Sequence, residues 1–431
     1  MKPIRRFLSP LMMCLIAGCV PITPTPAPIT PTSTPAPSPS VTPTLTPPPT
    51  ATPTPVPVPL VLWEGLPPEQ TRALLEDVAD FEGRHPGVTV QARHYEDDAA
   101  LVQQMGSAQS SPWDFVLGDA ALLAALQQQN ALQPLDGLLP ADAVADLVAP
   151  ARTGASRDGH LWGLADTVGL HLLLFYNRDL IAVPPADTNE LTTVAQSFTH
   201  RDQWGLAMNS YDPLWVVPWL AAYGGWLTDA AGNPTLDTPA MVEALTLHLR
   251  WHGDLAGVAP LATQSEAREL FVEGKAAMMI DGDWAIGELR QVSAVKWGVA
   301  PLPLVGDTGR AAAPLVMGRY WALRRDLPPD STRAALDFLA YVFSPARQLN
   351  WTTRFGQLPG NRRALEDPRI LSDPWLRASA QQMQTGRGLL LGVDANRLLD
   401  AMRGPLRAVL DGDMVPVEAA KAMQRGLGDR P

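Results

Sequence analysis

Between Val20 and Leu60 the chain holds sixteen Pro and eleven Thr, and no charged or aromatic residue. Such a stretch cannot bury enough apolar surface to offset the conformational entropy lost on folding. It therefore takes no part in a core and confines globular structure to the residues from Val61 onward. Proline at this density favours extended polyproline II, in which about 40 residues at about 3.1 Å each reach on the order of 100 Å. Residues 20–60 read as a spacer, and their Ser and Thr density also suits O-glycosylation.

What precedes the spacer gives it a purpose. Lys2, Arg5 and Arg6 stand before a short apolar segment from Leu11 to Ala17, which closes on Leu15-Ile16-Ala17-Gly18-Cys19. A basic start, an apolar segment too short to span a bilayer and small residues before a cysteine form a lipoprotein signal. The expectation is a signal peptide over residues 1–19 with lipid on Cys19. That places the chain at the outer face of the cytoplasmic membrane or in the periplasm. The other cysteine, Cys14, lies in the segment to be removed, so the mature chain has no disulfide and no cysteine metal site. A formal charge of −11, more negative still without Lys2, Arg5 and Arg6, argues against nucleic acid or an anionic lipid surface as partner. No later apolar run of about 18 residues occurs, which leaves lipid as the anchor.

From Val61 the chain alternates strand and helix. Leu60 to Trp63 reads as a buried strand, and Glu69 to Arg84 as a helix with Leu74, Leu75, Val78 and Phe81 on one side, ended by Pro86-Gly87. Strands at Val88–Ala92 and Asp114–Leu117 and helices at Ala99–Ala108 and Ala120–Gln129 continue a βαβαβα pattern, which predicts a parallel sheet covered by helices. Ligands of such sheets sit beyond the carboxyl ends of the strands, where Glu64 and Asp119 stand. Further on, Leu170 to Tyr176 and Ala277 to Ile280 read as strands buried on both faces. Helices are expected at Val216–Tyr223, Pro239–Trp251, Ala285–Gln291, Ser331–Phe343 and through Pro374–Leu427. Roughly 370 residues exceed a single core and suggest two lobes.

Six blocks then carry a resemblance. They are Ala221 to Trp226, Gly232 to Asp237, Leu270 to Trp284, Trp297 to Pro303, Ser344-Pro345 within Phe338 to Leu358, and Gln357-Leu358-Pro359. In this order they resemble the bacterial extracellular solute-binding proteins of family 1, the sugar-binding lipoproteins of ABC transporters related to maltose-binding protein. The resemblance spans Leu60 to Leu427. It implies an α/β fold of the periplasmic-binding-protein type: two lobes, three crossings between them and a ligand cleft. The crossings fall near Asp166–Leu170, Leu315–Arg319 and Leu358–Asp367. One lobe would take residues 61–167 and 319–365, the other 168–318 and 366–427. Family members capture a solute by closing the lobes and hand it to membrane permease subunits, which implies a monomer with no cofactor.

A pyranose offers flat C–H faces for indoles and hydroxyls for paired donors and acceptors. Of thirteen Trp, the resemblance selects Trp284 as the residue that stacks on sugar. It places Asp212 and Trp215 where the family has an acid and an aromatic. Trp63, Trp204, Trp251, Trp297 and Trp351 lie within apolar periodicity and read as core. Asp283 precedes Trp284 at the strand end, and Asp166 stands where a proline is common. Many relatives carry a Gly-Gly pair at the second crossing, whereas this chain has Met317-Gly318-Arg319-Tyr320. Arg319 either pairs a carboxylate or phosphate on the ligand or bridges an acid across the lobes, with Tyr320 beside it. In place of the aromatic that caps the sugar from the last helical region stand Asn396-Arg397, so Arg397 either binds from that side or lies on a solvated face.

Chemistry is not visible. Asp281 and Asp283 flank a turn but also suit an N-cap and a turn residue. His248 and His252 have metal-ligand spacing but no third ligand, so a solvated face is expected and no metal site. Phosphate-loop and nucleophile-elbow motifs are missing, and catalysis is not expected. The alternatives to an importer subunit are a surface glycan-binding or glycan-processing protein, and a binding protein coupled to a sensor.

Overall fold

The computed structural model describes residues 57–105, 112–252, 257–291 and 295–428; the lipoprotein signal, Cys19 and most of the spacer lie outside the described residues. Ten strands build two sheets. They are β1 (Val58–Glu64), β2 (Val88–His94), β3 (Phe115–Asp119), β4 (Leu164–Gly169), β5 (Leu172–Asn177), β6 (Trp204–Met208), β7 (Ala276–Gly282), β8 (Trp297–Ala300), β9 (Met317–Leu323) and β10 (Leu358–Pro359). The six-stranded sheet has the order β10-β4-β9-β3-β1-β2, and the four-stranded sheet the order β8-β5-β7-β6. Each supports one lobe.

In the first lobe β1, β2 and β3 run parallel and are followed in turn by the expected helices at Pro68–Arg84, Asp98–Met105 and Ala120–Gln128. Leu62, Trp63, Phe115 and Leu117 give these strands fully buried side chains, and Leu74 and Phe81 face them from the first helix. Leu75, expected on that buried side, is 48% exposed, because the apolar stripe runs through 74, 78 and 81 and residue 75 lies at its edge. β1 already begins at Val58, inside the stretch expected to be spacer, since Val58 pairs with Val88. The wholly parallel sheet expected from the alternation stops at β3. Beyond it β9 is antiparallel to both β3 and β4, and β10 is antiparallel to β4. A late segment of chain thus supplies a central strand.

The second lobe is built on β5 and β7, whose side chains are buried on both faces from Leu172 to Phe175 and through Ala276–Gly282. β5 starts two residues later than expected because Leu170 has a left-handed backbone, φ 66°. A 3-10 turn, Pro213–Trp215, precedes the shorter helix Val217–Ala222. Pro239–His252 follows as expected, and the C-terminal region divides into Pro374–Met383, Ala395–Leu410 and Pro416–Gly426. The chain passes from β4 to β5 through Gly169–His171, returns into β9, and leaves again between β10 and the helix at Pro374. Among the described residues no helix is long and apolar enough to cross a membrane.

Candidate ligand cleft

Where the chain passes between the sheets it encloses a cavity of about 800 Å³, within the range of small-ligand sites. The first lobe contributes Asp119, Thr167, Arg319, Arg354 and Gln357; the second contributes Asp283, Trp284 and Arg290. Gly169, Leu170, Met317 and Gly318 of the crossings form the floor. A second cavity of about 350 Å³ shares Met317 and is walled by Ala120, Ala124, Leu390 and Asn396.

Trp284 follows directly on β7 and is 39% exposed, an unusual state for an indole within a folded lobe. Its ring lies on the backbone of Gly282, where a Cβ would stand 2.1 Å from the indole. Glycine is thus required there so that the ring can lie flat against the strand end. Behind it Trp215 is buried, meets the Trp284 ring edge-on at 6.4 Å between centroids, and donates from Nε1 to the Ile280 carbonyl at 2.7 Å. Trp215 therefore holds Trp284 in place and does not itself line the cavity.

On the facing wall Asp119 ends β3 and caps the helix Ala120–Gln128, accepting from the Leu122 N–H at 2.8 Å. Its own N–H donates to Asp98 Oδ2 at 2.9 Å. Arg319 is the register partner of Asp119 and projects to the same face, with Asp98 as its nearest anion at 3.6 Å. Arg319 Nη1 and Asp98 Oδ1 are buried without hydrogen-bond partners, and burial raises the Asp98 pKa against the pull of Arg319. Arg354 is held by Glu76 at 2.5 Å, and Arg290 by Asp373 at 3.3 Å, the latter guanidinium lying over the Trp375 ring.

The expected site residues thus divide. Asp119, Asp283, Trp284 and Arg319 come together in the cavity. Glu64 is fully buried and turns back to the start of its helix, accepting from the Leu66 N–H at 2.7 Å and Thr71 Oγ1 at 3.2 Å, with His94 Nδ1 at 3.0 Å. Asp166 is buried in the first lobe against Arg347 Nη1 and Trp321 Nε1. Tyr320, 1% exposed, points away from the cavity, since strand neighbours alternate and a bulge separates it from Arg319; burial pushes its hydroxyl pKa up. Asp212 caps the 3-10 turn through the Leu214 N–H and pairs with Arg403 at 3.2 Å. Arg397 donates from Nη2 to the Leu427 carbonyl. None of these five, nor Trp215, lines the main cavity.

Sequence reasoning missed Asp98, Arg290 and Arg354, whose positions depend on helices packing from distant parts of the chain. It also misjudged His248 and His252. His248 is buried and His252 half-buried: His248 Nε2 donates to the Ser210 carbonyl at 2.9 Å, and the two rings stand 4.9 Å apart. Among the described residues no group of three or more His, Cys, Asp or Glu is placed to hold a metal ion.

Two lobes joined by three crossings around a cavity define a two-lobed binding protein. Residues 77–378 match the family of bacterial extracellular solute-binding proteins, and the chain belongs to that family. It is 24% identical over 336 residues to the maltotriose-binding protein of Pyrococcus abyssi, covering 75% of this chain and 71% of that one. It is 23% identical over 383 residues to the galactooligosaccharide-binding protein of Bacillus subtilis, covering 84% and 86%. Among solved structures, the maltose/maltodextrin-binding domain from Bdellovibrio bacteriovorus bound to maltotriose superposes with a TM-score of 0.65 at 28% identity, over 86% of this chain and 98% of that one. The cyclic alpha-maltosyl-1,6-maltose binding protein from Arthrobacter globiformis gives 0.76 at 19% identity over 86% and 98%. The matched proteins are binding proteins, not enzymes.

Proposed function

We infer that the chain is a lipid-anchored binding protein that captures a carbohydrate, of maltooligosaccharide type or a related polyol, and delivers it to an ABC importer. The observation that carries this reading is the half-exposed indole of Trp284, seated on Gly282 and facing the polar wall of Asp119 and Arg319 across the cavity. A pyranose presents an apolar face to the first and hydroxyls to the second. Both walls are needed for full affinity, so the ligand favours the arrangement that brings the lobes together and shifts the open–closed equilibrium by that difference. The smaller cavity beside Met317 and Asn396 gives a longer oligosaccharide room to extend.

Cys19 carries the lipid in this reading, and the proline-rich stretch from residue 20 up to β1 holds the binding lobes clear of the membrane. The lobes divide as residues 61–167 with 319–365 and 168–318 with 366–427, and the protein acts as a monomer toward its permease. Titration calorimetry with maltotriose, maltose and a galactooligosaccharide tests the ligand assignment. Binding of one class, lost in Trp284→Ala, is the expected result; saturation that leaves Trp284→Ala and wild type alike would overturn it.

A further inference from the structure

Asp283 lines the cavity, and its hydrogen bonds are made to the backbone of the first crossing. Its Oδ1 accepts from the Leu170 N–H at 3.1 Å, and its own N–H donates to the His171 carbonyl at 3.0 Å. The turn that carries Trp284 and the first crossing are thereby tied by a reciprocal pair of hydrogen bonds. Leu170 is the residue whose backbone takes φ 66°, a conformation disfavoured for a branched aliphatic residue unless the surroundings enforce it. Gly169 is equally constrained, since a Cβ there would stand 2.8 Å from Asp283 Oδ2.

The connection continues behind the turn. His171 is fully buried, with Nδ1 3.6 Å from Asp283 Oδ2 and Nε2 hydrogen-bonded to Ser379 Oγ at 2.6 Å. Ser379 belongs to the helix Pro374–Met383, which receives the chain after its third passage between lobes. One carboxylate thus touches the aromatic platform and the first crossing and, through one imidazole, reaches the third.

We propose that Asp283 is a positioning residue that pins the Trp284 platform to the crossings, and not an acceptor for ligand hydroxyls. With the pin in place, Leu170 is held left-handed and the crossing has a defined bend; platform and bend then move together when the lobes close. Without it, Leu170 relaxes toward an ordinary strand conformation and the platform loses its fixed relation to the facing wall. This role rests on the inferred cleft only for its effect on affinity; its structural core is independent of any ligand.

Hydrogen exchange of the purified full chain, read by mass spectrometry without ligand, tests the pin directly. Asp283→Ala should speed exchange at least tenfold in the peptide holding Gly169–Leu172 and measurably near Ser379, while distant strands such as Val88–His94 stay protected. Asp283→Asn keeps an oxygen acceptor for the Leu170 N–H and should exchange within about twofold of wild type. Unchanged exchange at the crossing in Asp283→Ala, or exchange as fast in Asp283→Asn as in Asp283→Ala, would overturn the assignment. With maltotriose as probe, the same pair should show affinity lost in the alanine variant and largely restored in the asparagine variant. Equal loss in both would mark the carboxylate as a direct ligand contact. Failure of the wild type to bind maltotriose would count against the proposed function and leave the exchange result standing.

Discussion

The two lobes bury polarity differently. In the first, an ionic cluster lies in the core: Arg347, itself buried, bonds Asp166 and, at 2.8 Å, Asp77, while Trp321 Nε1 donates to Asp166 at 3.0 Å. In the second, the buried Asp281 pairs at 2.8 Å with Arg268, which lies nearer the surface, and the core also holds neutral imidazoles, His248 buried under the Ser210 carbonyl and His252 half-buried under that of Ala259. A charge cluster holds elements together by direction and is ruined by losing one member; neutral imidazoles cost little until protons arrive. The same layered architecture therefore has two different weaknesses.

Breaking the first lobe's cluster has the largest expected effect. Asp166→Ala leaves Arg347 with Asp77 alone and the Trp321 N–H without its acceptor, and should cost about 3 kcal/mol in urea unfolding, with exchange rising first in the six-stranded sheet. Acid should act on the other lobe. Burial drives the His248 pKa down from 6.5 to about 4 and that of His252 to about 3. The unfolded chain takes up protons below 6.5 that the native lobe refuses, so stability complete above that pH is lost as pH falls toward 4, by about 3 kcal/mol for His248 alone. Asp77 has the opposite sign: burial raises its pKa, so its contribution is greatest at low pH and declines as pH rises through the folded value. Exchange near Pro239–His252 at pH 4.5 should accelerate before that of the first lobe, and His248→Gln, which keeps a donor for Ser210, should flatten the dependence.

Two smaller effects sharpen the contrast between the walls of the cleft. Trp284→Ala should lower maltotriose affinity by about 2 kcal/mol, roughly thirtyfold, with stability changed by less than about 1 kcal/mol. Arg319→Lys keeps the charge but loses the planar fork, and calorimetry should show a loss of about 1 kcal/mol, near fivefold.

How much of this the sequence discloses depends on the range of the interactions involved. The strands and helices through Gln128 follow local periodicity and lie close to where it puts them, and Trp284 stands just past the strand end, at the cavity. Glu64 stands at the end of β1 as its spacing implies, but its carboxylate direction is set by Thr71 and the Leu66 N–H in a turn that spacing does not describe. Arg319 and Tyr320 were grouped although adjacent strand residues face opposite sides, a signal that was present. His248 also had one: with Met241, Ala244, Leu245 and Trp251 it falls on the apolar stripe of its helix, and all five are buried. The insertion of β9 between β3 and β4 had no local signal, being a pairing across more than a hundred residues.

That insertion sets an order of events. β9, residues 317–323, is the seam that joins β3 to β4, yet everything that forms the four-stranded sheet precedes it in the chain. As the polypeptide emerges from its N-terminus, β1, β2 and β3 are made early but present an unfilled edge until the whole second sheet has been synthesised. Closing a connection of that length is slow compared with local pairing. The sheet begun first is therefore completed last, and for a chain of an extracellular family this leaves a long interval in which it remains loose enough to be threaded through a narrow export channel.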